Sequence, residues 1–443
     1  INSWLIEKGA MKDNMKVILQ NDGVKSFGIA TSDLKKNDLL LSVPQSIFID
    51  AAKAKKKFGD SINENDLRTG DFGMIALFLL SEKQAGEKSD YSIYINSLPL
   101  KPPGILSWTQ NQLNLLFKST TRQVERQVKA VEDDIDFILS NVQHQSLPKE
   151  IITSEQLRWA FGIVKAKYFL IDNKPTLIPG VDFIDFDPLA SNEPFTASTI
   201  WSGKTLKLNT DREYKQGDPV FLSCGLKNAA ECLEDHGIIP IFPLSDSTCE
   251  IKVSIDESDK FSNDKINIME DNGFSASERF DLEASAPDGL NTDLVTVLRL
   301  KLINGTDSFI LEPVFMNTVY STLGLPFSKP NELAVTKYLK NFCETAIARK
   351  NEISSREEDF KFYEKMESES NSDIIGLETS VEDRIKLLRT QERMALEETL
   401  KIVNAEILSL QSTTDPREYY QERRLLELNL LRPLDDDEVF MPG

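Results

Sequence analysis

The chain has 443 residues, 40% of them hydrophobic and 28% charged, and a net charge of −20. That balance fits a soluble globular protein of two or three domains, and its acidity speaks against a direct nucleic-acid footprint because phosphate backbones are repelled. No apolar run nears the roughly 20 residues that span a bilayer, and four cysteines (Cys224, Cys232, Cys249, Cys343) with two histidines (His144, His236) lack metal-ligand spacing, so neither a membrane span nor a metal is expected, and a reducing compartment is.

Trp4 to Lys8 has helical character and stops at Gly9. Val17-Ile18-Leu19, Phe27 to Ala30 and Leu39 to Val43 are short β-rich runs separated by Asn21-Asp22-Gly23 and Lys36-Asn37-Asp38, and Ile47-Phe48-Ile49 offers one more strand after Pro44. From about residue 51 to 171 the periodicity is helical. Lys53, Lys55, Lys56 and Lys57 mark a solvated face, Asp71 precedes a helix over Phe72 to Ser81, and Gln112 to Phe117 and Val124 to Leu139 follow. Thr153 with Gln156 predicts a capping box for a helix reaching Ile171.

Strand character returns at Leu177 to Phe186, Leu206 to Leu208 and Val220 to Cys224, and Cys249 to Ile255 alternates apolar and polar residues as a half-buried strand does. After about residue 275 the pattern is helical throughout. A stripe at Val381, Ile385, Leu388, Leu396, Leu400, Val403, Ile407 and Leu410 is interrupted at Glu392. Asp415 with Pro416 starts a last helix, and Asp435 to Glu438 form an acidic tail. More than half of the net charge falls on residues 351–443, a solvated acidic surface or one for a basic partner.

The stretch Leu177 to Pro188 carries Asp182, Asp185 and Asp187 between aromatics. Such carboxylates can serve a divalent metal or acid/base chemistry, and alternate positions on a strand put Asp185 and Asp187 on one face. No metal-loop spacing follows, and a satisfied turn is the competing reading. Cys224 is either a reactive thiol near His236 or a small buried hydrophobe. His236 is either a base or the holder of a structural hydrogen bond.

Gly28-Ile29-Ala30 with Leu39-Leu40-Leu41-Ser42-Val43-Pro44, then Trp159-Ala160-Phe161-Gly162-Ile163, then Tyr419-Tyr420-Gln421-Glu422-Arg423-Arg424-Leu425 occur in an order and spacing that resembles the Rubisco large-subunit methyltransferase branch of SET-domain proteins. The resemblance covers nearly the whole chain. It implies an α+β fold in which a SET β-fold is split by a helical insertion and followed by an all-α C-terminal domain that grips a protein. The expected divisions are residues 1–60 and 156–248 for the two SET halves, 61–155 for the insertion and 249–443 for the C-terminal domain.

The family transfers a methyl group from S-adenosylmethionine to a lysine amine, which must be neutral, aligned with the methyl–sulfur axis, and held by a tyrosine hydroxyl and backbone carbonyls. Carried across by the resemblance, the cofactor turn falls on Lys25-Ser26-Phe27-Gly28, with serine where the family has its first glycine. A family arginine falls on Lys167, which keeps charge and loses bidentate geometry. A family aspartate falls on Asp182 and the Asn-His pair after it on Asp185-Phe186. The two family tyrosines fall on Cys224 and His236, and a thiol or an imidazole cannot align an amine as a phenol does.

The resemblance therefore predicts Lys25, Phe27, Gly28, Lys167, Asp182, Asp185 and Phe186 at the cofactor, and Cys224 and His236 at the catalytic positions. It implies a protein with impaired transfer chemistry, serving as a binding or structural subunit of a plastid assembly through its C-terminal domain. The alternative is an active protein-lysine N-methyltransferase acting on a plastid protein. S-adenosylmethionine is the expected cofactor, and the chloroplast stroma is the expected location. Ile1 in place of an initiator methionine suits a processed precursor.

Overall fold

A computed structural model describes residues 1–10, 16–21, 26–148, 152–187, 190–191, 205–223, 225, 227–285, 289–312, 318–370 and 374–412, and all structural statements concern these. Lys25, Cys224, the helix expected from Asp415 and the acidic tail lie outside them. The first part of the chain runs α1 (Asn2–Glu7), β1 (Val17–Asn21), β2 (Ser26–Ala30), β3 (Leu39–Pro44), β4 (Ile49–Asp50), α2 (Ala51–Phe58), α3 (Asp71–Ala85), α4 (Ser92–Asn96), α5 (Gln110–Ser119) and α6 (Val124–Asn141). Next come α7 (Ser154–Lys167), β5 (Tyr168–Ile171), β6 (Lys174–Leu177), β7 (Asp185–Phe186), β8 (Thr205–Asn209), β9 (Pro219–Leu222), α8 (Ala229–His236) and β10 (Ile239–Pro240). The remainder is β11 (Thr248–Ser254), α9 (Ser262–Asp271), β12 (Ser277–Glu283), α10 (Thr292–Lys301), α11 (Val319–Leu323), α12 (Lys329–Asn351), α13 (Arg356–Glu369), β13 (Ile374–Ile375) and α14 (Val381–Ser412).

Two compact units divide the chain, one of residues 1–117, 123–241 and 370–385, the other of residues 118–122, 242–369 and 386 onward. In the first unit one sheet has the order β1-β2-β9-β7. It pairs the early hairpin with β9, far later in the chain, Gly28 opposite Val220, and β7 runs beside β9, Asp185 next to Phe221. Three smaller ladders accompany it, β3 with β8, β4-β6-β5, and β10 with β13. The helices α3 and α7 pack together. Every residue of α3 from Gly73 to Ser81 is buried, so this helix has no solvent face through that stretch.

In the second unit β11 and β12 pair antiparallel along their full length, from Thr248 opposite Glu283 to Ser254 opposite Ser277, with α9 in the connection. Its apolar face joins helical residues such as Leu294, Leu298, Leu339 and Leu396 in one core. The interruption of the long stripe at Glu392 has a structural cause. Glu392 is 1% exposed and pairs with the buried Lys350 at 2.7 Å, while Thr120 donates to its other oxygen at 2.5 Å. A second buried cluster ties Arg389 and Arg393 to Asp359. The helical stripe is thus continuous in space, with one turn given to charge.

Four local expectations are corrected. The helix from Thr153 ends at Lys167 rather than Ile171, because the aromatic and β-branched run after it pairs with β6. The strand expected from Leu177 to Phe186 is broken by Pro179 and by Gly180, whose φ of +100° starts a 3₁₀ turn over Val181–Phe183. Ile47 belongs to a 3₁₀ turn after Pro44, which leaves only Ile49–Asp50 as strand. β12 and β13 lie in the stretch expected to be helix; only Phe280 and Leu282 are buried along β12, too few for its alternation to stand out among charges.

Lys53 departs from its expected solvated face, donating to the Ser46 carbonyl at 2.7 Å and to the Tyr91 hydroxyl at 2.6 Å. The cysteines Cys232, Cys249 and Cys343 are buried and in no disulfide.

Candidate functional site

The last turn of α7 sets up the site. Its start is fixed by the capping box foreseen in the sequence, Gln156 N–H donating to the Thr153 hydroxyl at 3.2 Å and Thr153 N–H to the Gln156 side chain at 3.1 Å. Residues two apart on a helix point to different sides, and Lys165 and Lys167 do so. The Lys165 ammonium lies 3.0 Å from Asp235 and 3.2 Å from Glu234 on α8. The Lys167 ammonium donates to the Ser26 hydroxyl at 3.0 Å and to the backbone carbonyl of Asp182. Burial lowers the Lys167 pKa, opposed by the carboxylates of Asp182 and Asp185.

Asp182 is 2% exposed. It accepts from the Tyr94 hydroxyl at 2.5 Å and from the Gly180 N–H at 3.0 Å, which clamps the 3₁₀ turn to α4. Burial pushes its carboxyl up to about 6, against the pull of Lys167 and these two donors. Asp185, half-buried on β7, accepts from the Phe186 N–H at 3.0 Å. Asp187 accepts from Arg212 at 3.0 Å, and its own N–H donates to the Leu222 carbonyl. The three aspartates thus have separate partners.

His236 ends α8 and is buried. Its Nδ1 lies 3.0 Å from the Ala166 carbonyl, which can only accept, and its Nε2 lies 3.0 Å from the Lys227 ammonium, which can only donate. The ring is therefore the neutral Nδ1–H tautomer with both nitrogens engaged. Burial, then the Lys227 charge, lowers its pKa to about 3. The Phe186 ring stands on it, centroids 4.2 Å apart. Lys227 also pairs with Asp235 at 2.6 Å. Burial would raise the Asp235 pKa, but Lys165 and Lys227 together bring it to about 2.

These groups surround one cavity of about 270 Å³, lined among others by Ser26, Lys167, Asp182, Asp185, Phe186 and His236. Five of the nine residues singled out in the sequence are thereby brought together. Phe27 and Gly28 lie on β2 and do not line the cavity, while Lys25 and Cys224 fall outside the described residues. Gly28 has a packing role: a Cβ there would stand 2.8 Å from the Val17 side chain.

Sequence reasoning missed Tyr94, Lys227 and the return segment of β13, whose Ile374, Gly376, Leu377 and Glu378 complete the wall. β13 reaches the site by pairing Ile375 with Ile239 just after α8, and nothing in its two-residue apolar run marks it as a pocket wall.

A family profile described as "Rubisco LSMT substrate-binding" matches residues 256–401. Over 97% of this chain and 85% of the relative, the sequence is 28% identical to the chloroplastic Rubisco large-subunit N-methyltransferase of Nicotiana tabacum. It is 29% identical to the chloroplastic fructose-bisphosphate aldolase-lysine N-methyltransferase of Arabidopsis thaliana, covering 91% of this chain and 81% of that one. A solved structure of Rubisco LSMT bound to sinefungin and monomethyllysine superposes with a TM-score of 0.72 at 25% identity, covering 98% of this chain and 96% of the other. Along nearly its whole length the chain is similar to the Rubisco large-subunit methyltransferase family of SET-domain proteins, whose fold it shares.

Proposed function

We propose that this chain has kept the methyl-donor pocket of its family and lost the transfer chemistry, serving as a binding subunit for a plastid protein. The pocket's chemistry supports donor binding. Its ionisable lining is Asp182, Asp185 and Glu378 against Lys167, with the rings of Phe186 and Phe221 beside them. That set suits a ligand with positive charge and a flat ring, and S-adenosylmethionine has a sulfonium, an ammonium and an adenine. Asp185 would face the ammonium, Lys167 the carboxylate, and the phenylalanines the apolar parts. When bound, the group supplies an activated methyl.

The state of His236 carries the reading. Transfer requires an amine held in line by a hydroxyl and by carbonyl oxygens. Where the resemblance puts a family tyrosine stands an imidazole tied at both nitrogens. The Ala166 carbonyl takes its Nδ1–H, and the Asp182 carbonyl takes the Lys167 ammonium. These two carbonyls thus already accept from the chain's own donors. A fixed ammonium at Asp182 also opposes the positive charge that an amine gains as it is methylated. The chloroplastic names of the relatives support a plastid location, and the substrate-binding profile over residues 256–401 supports a protein partner.

The relatives named as lysine N-methyltransferases favour a second reading, an active enzyme on a plastid protein. Calorimetric titration with S-adenosylmethionine separates these. Saturable binding that Asp185→Asn weakens about tenfold, with no methyl appearing on any lysine of a plastid extract, supports a retained pocket without transfer. Methyl-lysine in the extract supports the enzyme, and absence of binding removes both.

A further inference from the structure

A second cavity of about 190 Å³ lies in the same unit, walled by Phe72 of α3, Ile105 and Leu106 ahead of α5, Val128 and Val131 of α6, and Phe161 of α7. Its remaining lining includes Lys165 and Glu234. These two neutralise each other at 3.2 Å, and Gln127 accepts from Lys165 at 3.3 Å. No unbalanced charge is left for a ligand. Apolar-lined cavities of this size hold a single aromatic ring; an engineered one of about 150 Å³ takes benzene.

The charged end of this cavity is continuous with the site described above. Lys165 reaches Asp235 at 3.0 Å, Asp235 reaches Lys227 at 2.6 Å, and Lys227 reaches Nε2 of His236 at 3.0 Å. Asp235 divides its two oxygens between two ammonium groups, so any change at Lys165 alters what Lys227 receives. The Lys165 side chain keeps 24% of its exposure, and a ring in the cavity would remove water from that ammonium. Shielding strengthens its ion pairs, because Coulomb energies grow as the local dielectric falls.

We infer that this cavity is a binding site for one uncharged aromatic ring and that occupancy is transmitted through Lys165, Asp235 and Lys227 to His236. The inference does not depend on whether the first cavity binds a methyl donor. Indole is the probe, and the readout is the imidazole resonances of the full chain. Only two histidines are present, so His144→Gln assigns them. The expected result is a saturable shift of the His236 signals with His144 unmoved, lost in Val131→Trp, which fills the cavity. Val128→Trp, at a half-buried position of α6, blocks the same space should the first variant fail to fold. No saturable binding, binding that persists in a filled variant, or binding that leaves His236 unmoved would each overturn the proposal.

Discussion

Asp182→Asn removes a carboxyl that burial holds at about 6 while leaving groups that can still meet Gly180 and Tyr94. The effect on stability is read against pH. Native Asp182 keeps its proton up to about pH 6, whereas the unfolded chain releases it near 3.8. Its contribution is therefore fully present below 3.8 and lost as pH rises through 6, a change of ~3 kcal/mol at ~1.4 kcal/mol per pH unit.

His236 runs the other way. Its pKa falls from 6.5 to about 3 on folding, so its contribution is present above 6.5 and lost as pH falls toward 3, with the same slope. In the native sequence the two oppose one another between about pH 4 and about pH 6. In Asp182→Asn the histidine acts unopposed. Urea unfolding from about pH 7 to about pH 4.5 should then cost the variant ~2 kcal/mol more stability than the parent loses over the same range. Parallel pH profiles for the two proteins would refute the burial and protonation assigned to Asp182.

Lys227→Met removes the cation against His236, so the imidazole pKa should rise from about 3 by roughly a unit or more toward its ordinary value; an NMR titration checks this, and an unmoved pKa would contradict the Nε2 assignment. Gly28→Ala places a Cβ 2.8 Å from the stiff, buried side chain of Val17 and should destabilise the fold by about 1–3 kcal/mol in denaturant unfolding. Glu392→Leu leaves the Lys350 ammonium buried and unpaired and should cost about 3–5 kcal/mol, while adding Lys350→Met should recover most of that loss. A double variant no more stable than the single one would show that the pair matters less than its shape.

The sequence revealed what depends on local pattern. The alternation from Cys249 to Ile255 produced β11, the Thr153–Gln156 box produced the start of α7, and the order of short strands and helices pointed to the family. It also pointed to Lys167, Asp182, Asp185, Phe186 and His236, which do line one cavity. What it could not supply were partners fixed only by tertiary packing. Tyr94 meets Asp182 across 88 positions of chain, and Lys350 meets Glu392 across 42. Neither pairing has a local signature. Nor do the charges alone say that Asp182 would hold its proton up to about pH 6 while Asp235, in the same unit, stays ionised down to about pH 2; that difference comes from whether a buried carboxylate finds two ammonium groups or none close enough to outweigh desolvation.

The central claim is a donor pocket without transfer, and the fate of a labelled methyl group tests it directly. The protein is incubated with methyl-labelled S-adenosylmethionine and plastid extract, recovered by filtration under native conditions, and then denatured in acid. The account predicts label retained by the native protein and released in full by acid. Label remaining on a polypeptide after acid would contradict it, as would a native protein that retains none.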